Sequence, residues 1–108
     1  MSIVFHILEE EIQRLQRLSQ KYKHEIQKLP KGSISLKKRY NKQFAYLSFR
    51  ENDKVKFNYL GSSDNPAILL LKEKINQRKQ YENKLKIVLN DIKEVSTAIN
   101  ARTSKAIH

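Results

Sequence analysis

"SISLKKRYNKQFAYLSFRENDKVKFNYLG", residues 33–61, alternates apolar and polar side chains in three short runs, the pattern of half-buried β-strands. A two-residue turn at Asn41 and Lys42 pairs Ile34 with Phe49, Leu36 with Leu47 and Lys38 with Ala45, so the apolar faces of the first two strands match. The second turn is open to two readings. A two-residue loop at Asn52 and Asp53 sets Lys56 and Asn58 beside Phe49 and Leu47, whereas a three-residue loop, Glu51 to Asp53, aligns Val55, Phe57 and Tyr59 with Phe49, Leu47 and Ala45. The longer loop is expected, because the one-residue slip turns charge inward. The inner face is then Ile34, Leu36, Ala45, Leu47, Phe49, Val55, Phe57 and Tyr59. The outer face carries Ser35, Lys37, Arg39, Tyr46, Ser48, Arg50, Lys54, Lys56 and Asn58.

Outward from the strands lie two helices. From Phe5 the apolar residues step by three and four through Leu8, Ile12, Leu15, Tyr22, Ile26 and Leu29, a heptad seam with Ser19 as its polar interruption. Glu9, Glu10 and Glu11 near its start suit the helix dipole, and Glu10 stands four residues before Arg14. Pro30 and Gly32 stop it. "SSDNPAILL", residues 62–70, announces the second helix: Asn65 or Asp64 can cap it and Pro66 fits its first position. Its seam runs Ile68, Leu71, Ile75 and resumes out of register as Tyr81, Leu85, Val88, Ile92, Val95, Ile99, so the helix is expected to change partner across the intervening polar stretch. The reading is a single α+β domain. It comprises an N-terminal helix (1–31), a three-stranded antiparallel meander (32–61), a longer helix (62–101) and a frayed tail (102–108), with the helices in an antiparallel, coiled-coil-like hairpin. The second helix is roughly 15 Å the longer at 1.5 Å per residue. That length difference leaves the stripe Leu85, Val88, Ile92, Val95 and Ile99 uncovered, and a homodimer is the simplest cover for it.

In 108 residues there are 22 Lys and Arg against 11 Asp and Glu, a formal net charge of +11. Such an excess favours polyanionic partners. Cysteine is absent, which excludes disulfides and thiolate metal sites. No positively charged leader precedes the acidic "EEE", and "AILLL" is too short for a membrane span, so a cytoplasmic protein that does not bind membranes is expected. His6, His24 and His108 share no helical face, the acids sit near Lys or Arg, and two glycines make no phosphate loop. Neither an enzyme nor a metal or cofactor site is expected.

Charge concentrates on the strands. Lys37, Lys38, Arg39, Lys42, Arg50, Lys54 and Lys56 face only Glu51 and Asp53 as counter-charges. A sheet of this width can enter a DNA major groove, with Arg and Lys reaching guanine and phosphate and Asn reaching adenine. Tyr46, opposite Lys37, can stack on a base or take the cation over its ring. The nucleic-acid-binding set is therefore Lys37, Arg39, Tyr46, Arg50, Lys54, Lys56 and Asn58, with DNA favoured over RNA. A plain solvated face explains the same alternation, since outer-strand lysines also deter edge pairing. The rival reading is a coiled-coil interaction module or small inhibitor that binds an acidic or RNA-bound protein partner.

"LPKGSISLKK", "FAYLSFRE", "KVKFNYLG" and the long charged helix after them resemble small, mostly uncharacterised proteins of bacterial and archaeal genomes, often in prophage-like regions. Three strands followed by a helix are also similar to the arm-binding domain of phage-type tyrosine integrases, whose sheet reads the major groove. That resemblance implies a DNA-reading face at Lys37, Arg39, Tyr46, Arg50, Lys54 and Lys56. The long N-terminal helix and the lack of a catalytic domain depart from integrases, so recombination is not implied.

Overall fold

The computed structural model describes residues 2–107, with side chains through residue 102. Helix α1 (Ile3–Gln27) is followed by strands β1 (Ser33–Arg39), β2 (Lys42–Glu51) and β3 (Lys54–Ser62) and by helix α2 (Pro66–Ile107). The strands form an antiparallel sheet in the order β1-β2-β3. The protein is α+β, helix, meander, helix.

The chain divides into two compact units. One holds α1 to Ile26 together with α2 from Tyr81 onward, and the other holds residues 27–80. The boundary falls where the two apolar seams of α2 lose register, so the change of partner expected there is the change from sheet to helix.

In the helical unit α1 and α2 run antiparallel. The rings of Tyr22 and Tyr81 lie 5.9 Å apart, and at the other end Arg102 donates to the Ser2 hydroxyl at 3.5 Å. Leu15 and Val88, each seven residues from the tyrosine of its own helix, are the buried hydrophobics among the described residues of this unit. Ser19 is buried in the same seam, and its hydroxyl donates to the Gln16 carbonyl at 2.8 Å, which satisfies it within its own helix. Ser2 caps α1 by accepting the Phe5 amide at 3.2 Å. Arg14 engages Glu11, not the expected Glu10: two hydrogen bonds of 3.0 and 2.6 Å form a fork across one turn. The fork holds the Glu11 carboxyl below its usual range and raises the Arg14 guanidinium. Helix α2 is regular through Ile107, so the residues expected to fray continue it, while His108 lies outside the described residues.

In the other unit α2 starts on Asn65. Its side-chain oxygen accepts the Ala67 amide at 3.0 Å, and Pro66 takes the first helical position, where its missing N–H costs nothing. Asp64 instead accepts a hydrogen bond from the Ser62 hydroxyl, which with its own backbone contact and nearby Lys42 keeps its carboxyl low. Asn65→Ala should therefore cost about 1 kcal/mol and Asn65→Ser almost none; urea melts of the two variants check this, and equal losses would remove the cap from the account.

The first turns of α2 lie beside β1, with Ile34, Leu69 and Ile75 lining one groove. Ala45, Ile68 and Ile75 are the buried hydrophobics here. Arg78, from the polar break in the seam, donates to the Leu29 carbonyl at 2.7 Å and so ties the chain leaving α1 to α2. Gly32 opens β1 at φ +110°, where a side chain would strike β2.

Both hairpins turn through two residues, and both differ from expectation. The first loop is Tyr40 and Asn41, at φ 52° and 64°, one residue earlier than the sequence suggests. It pairs Ile34 with Leu47 and Leu36 with Ala45, a shift of two that leaves every side chain on its expected face. The second loop is Asn52 and Asp53, at φ 51° and 64°. Positive φ at both positions is the hairpin turn whose twist matches the strands, and Asn and Asp tolerate it better than other side chains. This loop pairs Arg50 with Val55, Ser48 with Phe57 and Tyr46 with Tyr59, so the three-residue loop is corrected and β3 turns over. No charge is buried by the slip: β3 is an edge strand on which Lys54, Lys56 and Asn58 all stay exposed. Near its end the ladder slips by one at Leu60, a β-bulge, with Gly61 at φ +115°.

Candidate functional site

With that register the two faces of the sheet are chemically distinct. One bears Ile34, Leu36, Lys38, Ala45, Leu47, Phe49, Lys54, Lys56 and Asn58, and it buries Ala45. The other bears Ser35, Lys37 and Arg39 from β1, Phe44, Tyr46, Ser48 and Arg50 from β2, and Val55, Phe57 and Tyr59 from β3. No strand position on this second face is acidic. The structure thus brings Lys37, Arg39, Tyr46 and Arg50 together, as the alternation implies. It sets Lys54, Lys56 and Asn58 on the opposite face, and Lys56 is engaged there with Glu51 at 3.2 Å.

In their place on the charged face stand aromatic rings. Tyr59 lies 5.4 Å from Tyr46 and 6.1 Å from Phe44, centroid to centroid. The Lys37 ammonium reaches across β2 to lie 5.0 Å from the Tyr46 ring and 4.8 Å from that of Phe57. Each such contact is worth roughly 0.5–1 kcal/mol where solvent has access. The rings on β2 are half-buried by their neighbours, whereas those on β3 are open: Phe57 is 53% exposed and Tyr59 61%. Lys42 closes the first hairpin opposite Arg39, with the Asp64 carboxylate in its field.

The rings were not visible to the alternation because the three-residue loop assigns Phe57 and Tyr59 to the interior. The dipeptide Asn52-Asp53 carried the signal that could have found them, since these two residue types together favour the two-residue turn.

The stripe assigned to a second copy is placed differently as well. Val88 is buried within the chain, and Leu85, Ile92, Val95 and Ile99 are half-buried in the unit that contains α1. The surplus length of α2 is at its other end, in residues 66–80 of the sheet unit.

Among the described residues no group of His, Asp and Glu could hold a metal ion, and no helix is long and apolar enough to cross a membrane.

A family described as a domain of unknown function (DUF6788) matches residues 8–69. The chain belongs to that family. The match takes in most of α1, all three strands and the first turn of α2, so the whole of the ring-bearing face lies inside it. No curated protein and no solved structure was found to match the chain.

Proposed function

We propose that this protein binds nucleic acid through the sheet face that carries Lys37, Arg39, Tyr46 and Arg50. The observation behind the reading is the composition of that face: cations from two strands and rings from two strands, with no acid on any strand position. The formal charge of +11 supports it by drawing a polyanion to the surface from a distance. Arg39 and Arg50 would hold phosphates, and the rings would meet bases. The likeness of the meander and following helix to an integrase arm-binding domain is in keeping with this face at four of the six positions it implies, Lys37, Arg39, Tyr46 and Arg50, while Lys54 and Lys56 lie on the other. A coiled-coil interaction module has less support, because α1 shares a compact unit with the stripe such a module would offer.

The register supplies a matched control. Arg39→Ala/Arg50→Ala and Lys54→Ala/Lys56→Ala remove equal charge from opposite faces. Anisotropy titrations of labelled oligonucleotides across a salt series should show the arginine pair weakening binding and flattening the dependence of log K on log salt by about 1.5 for two lost phosphate contacts. The lysine pair should leave the slope nearly unchanged. Equal losses from the two pairs would reduce the binding to diffuse attraction and remove the face from it.

A further inference from the structure

We infer that the ring-bearing face is a stacking platform for single-stranded nucleic acid, an inference that rests on the nucleic-acid reading above. A duplex hides the flat faces of its bases and offers only their edges, which are read by hydrogen-bonding groups. Phe57 has no such group, and Tyr59 has a single hydroxyl. What these residues offer is ring surface, and single strands are the form of nucleic acid whose base faces are free to cover it.

Three observations support a platform over a packing remnant. The open rings are on β3, the strand whose side chains are exposed along most of its length, so they are not the lid of a core. The rings make a connected group across β2 and β3, Phe44 to Tyr59 to Tyr46, with Phe57 joined through the Lys37 ammonium that it shares with Tyr46. Arg39 and Arg50 stand on the same face, on β1 and β2, where they would meet the phosphates of a strand whose bases lie on the rings.

Lys37 gives the platform a resting state. In the free protein its ammonium occupies ring surface that a base would need. Base stacking on an aromatic ring is the stronger of the two contacts, so an arriving base would displace the ammonium, whose flexible stem lets it move to the adjacent phosphate. Recognition of this kind tolerates any base sequence, because every base has a face to stack.

The test uses the full chain with fluorescein-labelled oligo-dT, oligo-rU and a duplex carrying the same number of phosphates. Phe57→Leu and Tyr59→Leu keep apolar bulk but remove the ring. The wild-type protein should bind at least one of the single strands more tightly than the duplex, and the comparison of dT with rU separates DNA from RNA as its source. Each leucine variant should lose affinity for that strand by about tenfold, one stacked base, with an unchanged salt slope and an unchanged thermal melt. Tyrosine fluorescence should be quenched on binding, a clean signal in a chain with five Tyr and no Trp. Duplex bound as tightly as both single strands, with leucine variants that bind like wild type, would overturn the platform while leaving the arginine result to stand. Absence of binding to every oligonucleotide at low salt would overturn both readings. Leucine variants that instead convert a dimer to a monomer in sedimentation would assign the rings to a second copy of the chain and overturn the platform.

Discussion

Gly32→Ala should cost about 3 kcal/mol or more of folding stability, combining a backbone conformation that side chains rarely adopt with a clash against fixed main chain. Gly32 sits at φ +110°, and a Cβ there would lie 2.4 Å from the Ser48 carbonyl oxygen and 3.1 Å from the Leu47 side chain. Leu47 could rotate, but the Ser48 carbonyl belongs to the central strand, whose neighbours on both sides hold it in place. Gly61 provides the comparison. It has nearly the same φ, +115°, with nothing within 4 Å of its Cβ position, so Gly61→Ala carries the conformational term alone, about 1 kcal/mol. Small domains are stable by only about 5–15 kcal/mol. The first variant should therefore shift the urea midpoint by more than about 1 M and the second by a fraction of that. Equal shifts would show that β1 and β2 move apart at that corner without resistance.

Leu15→Ala should cost about 3 kcal/mol, within the 2–5 kcal/mol usual for truncating a buried leucine. Leu15 is 3% exposed, at the centre of the seam between α1 and the C-terminal half of α2, and that unit has only a thin core to reseal around a cavity. Ser19, one turn on and 5% exposed, should behave otherwise. Its hydroxyl donates to a carbonyl of its own helix, so removing it strands no partner, and alanine is the better helix former. Ser19→Ala should stay within about 1 kcal/mol of the parent. If thermal or urea unfolding gave both variants the same loss, the seam would not be the core of the helical unit.

Much of this architecture was legible in the residues. The three-and-four spacing from Phe5 to Leu29 marks α1, Asn65-Pro66 marks the start of α2, and the broken register between Ile75 and Tyr81 marks where α2 passes from one unit to the other. The turns were harder. Tyr40 takes φ 52°, a conformation that tyrosine seldom adopts, so nothing in its identity announces the first loop. At the second loop the objection to turning lysines inward assumed a buried strand. A strand at the edge of a sheet leaves such lysines in water on either face. The cations of the candidate site on β1 and β2 were accordingly legible, and the rings of β3 were not. Their face depends on one turn, and composition does not encode it.

The loop at Asn52 and Asp53 has a consequence at the level of the gene. Insertion of a single codon between theirs, with the turn kept at two residues, would leave the residues of β3 unchanged in order, charge and hydropathy, yet would slip the ladder by one and reverse the parity with which they meet β2. Lys54, Lys56 and Asn58 would pass to the ring-bearing side, while Val55, Phe57 and Tyr59 would turn toward Ala45. Two such genes would be almost indistinguishable in alignment and would encode surfaces of opposite character, so in this protein the register across a turn carries information that the identity of its neighbours does not.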